Sequence, residues 1–140
     1  MNRKILKTLG LFLVLMTIST AGFSQVYKLK STSFSSRYKI NDYKWSEWSE
    51  ASESSVLITF DLTNDRITIY SEKKQVYDIV EYEGKTTDSD GDDIFSYYCV
   101  DNDGLTCRVK WLKLNSQNGR MQMYVYYGDM NWLYNIYSLD

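Results

Sequence analysis

Histidine and proline are absent from the 140 residues, glycine occurs seven times and cysteine twice. Without histidine the chain has no side chain that titrates near neutrality by default, no imidazole metal ligand, and no Ser-His or Cys-His nucleophile. Paired carboxylates of the glycosidase kind remain conceivable, but no spacing singles out a pair, and a carboxylate hydrolase would rest only on the presence of acids. A non-enzymatic protein is expected, with no cofactor and no metal. Basic blocks are missing too: 16 Lys and Arg stand against 18 Asp and Glu, which argues against nucleic acid and against anionic membrane surfaces as partners.

Long apolar runs are also lacking. The longest, Leu9 to Ile18, is half of the roughly 20 residues a membrane-spanning helix needs. It follows Arg3, Lys4 and Lys7 and precedes Gly22-Phe23-Ser24, the three-part arrangement of a secretory signal with a cut ahead of Gln25. No cysteine stands at that cut, which disfavours a lipid anchor. A leader ending in Phe-Ser-Gln resembles those of exported Bacteroidota proteins, and the resemblance implies a periplasmic or extracellular destination with no membrane span after cleavage. Removing residues 1–24 takes away three basic residues and no acid, moving the net charge from −2 to −5 over the remaining 116 residues. Residues 25–140 are expected to form one small domain.

Thirteen tyrosines and many β-branched residues alternate with polar ones along this domain, a pattern that suits pleated surfaces. No segment of ten residues keeps a 3.6-residue period. Strands are predicted near 55–61, 66–71, 75–82, 94–100, 105–114, 121–127 and 132–138, with one or two more within 26–40. Turning over Thr63-Asn64 sets Phe60 against Ile67, Ile58 against Ile69, Thr59 against Thr68 and Asp61 against Arg66, which are favourable cross-strand pairs. A turn at Glu72-Lys73-Lys74 would set Ile69 against Tyr77 and Ile67 against Ile79. Asn118-Gly119, both tolerant of positive φ, would pair Leu114 with Met123, Leu112 with Val125 and Trp111 with Tyr126. The turn over Gly128–Asn131 would pair Tyr127 with Trp132, Val125 with Tyr134 and Met123 with Ile136. The apolar face then changes parity between Val109 and Leu112, and a bulge near Trp111 would account for it.

The fold class expected is all-β: an antiparallel meander of about eight strands, closed as an up-and-down barrel because closure removes the sheet edges. A two-sheet sandwich is the alternative. With Trp45 or Trp48 of Tyr43-Lys44-Trp45-Ser46-Glu47-Trp48 near the first strand, the plan resembles the calycin group of lipocalin-like barrels. The Gly-x-Trp of true lipocalins is absent, so no binding residue transfers.

Three stretches could carry chemistry. Cys99 and Cys107 flank Asn102-Asp103-Gly104; a three-residue turn with Gly104 in the left-handed region places the cysteines directly opposite. Opposed residues lie about 4.5–5.5 Å apart at Cα, a span that a disulfide accepts, and an exported protein meets an oxidising compartment. A disulfide is expected, with buried free thiols as the alternative. Zinc would lack ligands, and a redox dithiol would need Cys-x-x-Cys at a helix start. In the second stretch, Asp88-Ser89-Asp90-Gly91-Asp92-Asp93, aligning Gly91 on the glycine of a calcium loop leaves Tyr97 where a bidentate glutamate should stand. It reads as a solvated loop, with a weak calcium site as the alternative.

The third is the pair of sheet faces. Phe95, Tyr97, Met121, Met123, Trp132 and Tyr134 point inward and would either fill the barrel or line a site for a small apolar ligand. Tyr70, Tyr82, Tyr98, Trp111, Tyr124 and Tyr126 point outward, where contiguous aromatics would suit a protein or carbohydrate partner. A binding module is therefore expected. The rival is an inhibitor or envelope component acting through loops, with Asp88–Asp93 suited to a basic, lysozyme-like target.

Overall fold

In Leu57-Ile58-Thr59-Phe60-Asp61 every second side chain is fully buried and its neighbours are half-exposed, the period-2 signature of a strand with one face on a core. The same alternation recurs along the chain. The computed structural model describes residues 25–140, so the expected leader lies outside the described residues. The strands are β1 (Val26–Asn41), β2 (Lys44–Trp45), β3 (Ser52–Glu53), β4 (Leu57–Asp61), β5 (Arg66–Ile69), β6 (Gln75–Thr87), β7 (Asp93–Asp101), β8 (Thr106–Leu114), β9 (Arg120–Tyr126) and β10 (Met130–Ser138).

From β4 to β10 each strand pairs antiparallel with the next, and β1 pairs with both β4 and β10. The β1–β10 seam runs from Leu29 opposite Ser138 to Tyr38 opposite Met130. Eight strands thus close into the expected meander barrel rather than a sandwich, and β2 and β3 are short additions where the chain returns along β1. Leu29, Ile58, Ile67, Ile69, Val109, Met123 and Val125 are almost wholly removed from solvent. Burial of each such side chain contributes about 1.5–3 kcal/mol, which is what offsets the entropy lost in ordering the backbone. The middle of the barrel is therefore packed, not hollow.

Register decides which side chains reach the interior. The β4–β5 pairs are those predicted, Phe60–Ile67 and Ile58–Ile69 included. The β5–β6 register is displaced by two residues, setting Ile67 against Tyr77 and Ile69 against Gln75. The β9–β10 register is also displaced by two, setting Trp132 against Val125 and Tyr134 against Met123. An even displacement leaves each residue on its expected face.

The β8–β9 turn is displaced by three. Asn115–Gln117 forms a short 3-10 turn, Asn118 and Gly119 follow in the left-handed region, and the Gly119 amide donates to the Leu114 carbonyl at 2.9 Å. Asn118-Gly119 thus ends a five-residue connection instead of forming a two-residue hairpin. Leu114 pairs with Arg120, Val109 with Val125 and Trp111 with Met123. The odd displacement reverses the expected faces: Trp111 points inward with Val109 and Cys107, Leu112 points outward, and β8 pairs with β7 and β9 without a bulge.

Candidate functional site

The bulges occur on β6. Its register against β7 shifts between Ile79 and Glu81 and again between Tyr82 and Gly84, where φ is +101°. Each inserts one unpaired residue, bends the strand and reverses its facing. The first, at Val80, turns Tyr82 toward the interior opposite Tyr97, with ring centroids 5.1 Å apart. Beyond this bend β6 and β7 continue past the ends of β4 and β5, so the barrel opens into a mouth beneath them.

That mouth is a cavity of about 560 Å³, within the range of small-molecule sites. Six aromatic residues line it: Tyr27, Phe60, Tyr82, Phe95, Tyr97 and Trp111. Trp111 is the hub, with its ring 5.4 Å from Phe95, 6.0 Å from Phe60 and 6.3 Å from Tyr27. Leu62, Ile79 and Val80 complete the apolar wall, and exposed parts of Tyr27, Val80 and Tyr82 form the rim.

The polar groups of the mouth are few and unpaired. Tyr97 is only 6% exposed, and its hydroxyl has no protein partner among the described residues. Burial, followed by the neighbouring Tyr82 and Tyr27 hydroxyls, pushes this phenol up to about 12, so it stays a neutral donor at physiological pH. The Trp111 indole N–H is wholly buried and lacks a hydrogen-bond partner, a state that costs about 1–3 kcal/mol. Among the described residues no Lys or Arg lines the cavity; the ionisable lining residues other than tyrosines are Asp65 and Glu81. Lys85 lies 6.0 Å from the Phe95 ring and 3.7 Å from Asp93.

The opposite end of the barrel contrasts with this one. A shallower cavity of about 320 Å³ there includes Lys73, Lys74, Asp101 and Asp103 with Tyr127 and Trp132. Its hydroxyls are already engaged: Tyr77 donates to Gln75 Oε1 at 2.6 Å and Tyr127 donates to Asp101 Oδ2 at 2.7 Å. Buried polar groups with partners stabilise the fold, whereas unpaired groups await one. The aromatic mouth is the better candidate.

Of the inward residues expected as ligand-lining, Phe95 and Tyr97 meet in this mouth. Met123 and Tyr134 are packed into the core, Met121 rests against it, and Trp132 lies at the far end. Two residues expected outside, Trp111 and Tyr82, are in the mouth, Trp111 through the odd register displacement and Tyr82 through the Val80 bulge. Tyr27 and Phe60 stand opposite each other across β1 and β4, and nothing in their alternation shows that they lie at an open end.

Cations of the chain itself lie over three of the four remaining outer rings, Tyr70, Tyr98 and Tyr126. Tyr124 and Tyr126 stack on each other at 5.5 Å and 4°, with Trp48 edge-on to Tyr124. Lys110 sits 5.4 Å from the Tyr126 ring, Arg108 5.2 Å from Tyr98 and Lys74 5.5 Å from Tyr70. Arg37 lies between Trp45 and Trp48, at 5.0 and 4.8 Å. Oriented with its amide oxygen toward Arg37, the buried Asn131 accepts from that guanidinium at 2.9 and 3.0 Å. Cation–π contacts of this kind hold surface rings in place.

Cys99 and Cys107 stand opposite each other as the turn arithmetic requires, with Gly104 at φ +80°. Both are buried and unbonded in the structure, so the expected disulfide is absent there. Burial raises both thiols, Cys99 to about 12 and Cys107 to about 11, the reverse of what a reactive cysteine needs. Asp101 Oδ1 accepts from the amides of Asp103 and Leu105, both at 2.9 Å. That aspartate is a turn-forming residue.

In the acidic loop, carboxylate oxygens of Asp88, Asp90 and Asp92 lie within 4.8 Å of one another. Protein donors already hold two of them. Asp88 Oδ1 accepts from the Asp90 and Asp92 amides, and Asp92 accepts from the amide and hydroxyl of Ser116. These bonds tie the β6–β7 loop to the β8–β9 turn and account for the cluster without a cation. Comparison of the chain with protein-family models, curated proteins and solved structures found no match, so the site is read from its own geometry.

Proposed function

We propose that this protein is a non-enzymatic binding module that holds one small apolar ligand in the aromatic mouth of its barrel. The observation that carries the reading is the contrast between a packed barrel centre and a cavity of about 560 Å³ at one end whose wall is largely aromatic. A folded chain gains by covering such rings, at about 25 cal/mol per Å² of apolar surface. Leaving six of them around a void is a cost that a ligand would recover. The test is titration with N-phenyl-1-naphthylamine, an uncharged apolar dye that brightens out of water. One saturable site is expected, and Val80→Trp, which places a large ring at the rim where Val80 is 61% exposed, should suppress it without lowering stability. A dye response that never saturates, or one indifferent to Val80→Trp, would refute the reading.

Export belongs to the same proposal. The residue 1–24 leader would deliver the domain to the periplasm or beyond, where ligand would be met outside the cytoplasm. An oxidised dithiol carrier there would exchange its disulfide with the facing Cys99–Cys107 pair, leaving the carrier as two thiols and the barrel cross-linked. Mass spectrometry of the exported protein under non-reducing conditions should find it lighter by two hydrogens, with no thiol alkylated after denaturation. Two alkylatable thiols would show that the pair serves only as packing.

A further inference from the structure

The chemistry of the mouth narrows its ligand, on the reading that the mouth is the binding site. A long-chain carboxylate would need a cation to neutralise its head group in a site of low dielectric. Among the described residues no lysine or arginine lines this cavity, and its charged lining residues are Asp65 and Glu81. An anion would enter a wall that cannot neutralise it. An alkyl chain would also use the wall poorly. Phe95 and Trp111 lie at 31° to each other and Tyr82 and Tyr97 at 34°, giving tilted ring surfaces that favour offset stacking with another ring.

The polar complement points the same way. Tyr97 is 94% removed from solvent, lines the cavity, and offers a neutral hydroxyl with no protein partner. A phenol donor recognises a hydroxyl or carbonyl oxygen without demanding charge. The far cavity, by contrast, has both lysines and aspartates, and its two hydroxyls are satisfied within the protein.

We infer that the ligand is an uncharged ring compound bearing a hydroxyl or carbonyl oxygen, its rings packed against the tilted Phe95 and Trp111 rings and its oxygen bonded to the Tyr97 hydroxyl, and that carboxylates are excluded. The probes are 2-naphthol and 2-naphthoate, which share a ring system and differ in charge at neutral pH, with decanoate as the chain carboxylate. Calorimetric titration should give 2-naphthol an affinity at least tenfold above either carboxylate. Tyr97→Phe keeps the ring and removes the donor; it should weaken 2-naphthol about tenfold, the upper range for one neutral hydrogen bond, and leave 2-naphthoate nearly unchanged. If either carboxylate binds as tightly as 2-naphthol, the inference fails while the mouth still stands as an apolar site. If Tyr97→Phe has no effect on 2-naphthol, the assigned oxygen contact is wrong. Failure of all three probes together with N-phenyl-1-naphthylamine would remove the binding reading itself.

Discussion

Between pH 9 and pH 12 the reduced protein is expected to lose most of its stability. Burial pushes Cys99 up to about 12 and Cys107 to about 11 from 9.0, and Tyr97 and Tyr126 to about 12 from 10.0. Burial also carries Tyr77 and Tyr127 higher still. For each group the folded value lies above the unfolded one, so below the unfolded value both states hold the proton and the stability is intact. As pH rises between the two values the unfolded chain releases protons that the barrel retains, and stability falls until the folded group titrates as well. Each pH unit of such a lag is worth about 1.4 kcal/mol per group. With Cys99, Cys107 and Tyr97 lagging together above pH 10, the slope approaches about 4 kcal/mol per pH unit, against a total stability of roughly 5–15 kcal/mol for a small domain.

Urea unfolding at stepped pH checks this, with tyrosinate absorbance rising in the same transition. The cross-linked form has no thiol to titrate and should begin its decline above pH 10 instead of just above pH 9. Stability that stays level to pH 11 in both forms would mean that these groups are solvated in the folded state.

The same buried tyrosines show how much of the architecture the sequence carries. Alternation in Val56–Asp61 and Arg66–Ile69, joined by a turn whose charges complement each other, determines the β4–β5 pairing residue by residue. The cysteine hairpin is equally determined, because a three-residue turn with glycine in the left-handed region admits one register. Closure follows from arithmetic of another kind, since eight meandering strands leave two edges and the N-terminal strand is long enough to cover both.

The site is less legible, and for an identifiable reason. Turn length enters the register as an offset, and alternation corrects even errors but not odd ones. Asn118-Gly119 carries the conformation expected of it, yet the 3-10 turn at Asn115–Gln117 adds residues that no local pattern announces. Those residues are held from outside the hairpin, by Asp92 to Ser116 and by the Asn115 amide donating to the Gly91 carbonyl. The β6 bulge is similar: Val80 is apolar in an apolar run, and only its pairing with β7 reveals it as the extra residue. Both errors fall at the one end of the barrel where strands overrun their neighbours. Tertiary contacts, not strand propensity, therefore assemble the mouth from residues whose sequence context reads as ordinary surface.

Trp111 is where these errors meet, and replacing it should separate binding from stability. Trp111→Phe is expected to weaken an uncharged ring ligand tenfold or more, while the melting temperature stays unchanged or rises slightly. The phenyl ring keeps contact with Phe95 and Phe60, now 5.4 and 6.0 Å from the indole, and it removes the buried N–H that lacks a partner. Relief of that donor returns about 1–3 kcal/mol, which offsets the apolar surface lost with the smaller ring. Trp111→Ala removes the hub altogether and should cost up to about 3–5 kcal/mol, abolishing binding along with much of the stability. Thermal melts and ligand titrations on both variants decide the matter. If Trp111→Phe loses stability in proportion to Trp111→Ala and still binds normally, the residue is a core side chain and the ligand wall lies elsewhere. If it binds poorly in a barrel that melts as before, the indole ring is part of the ligand wall and contributes little to the fold.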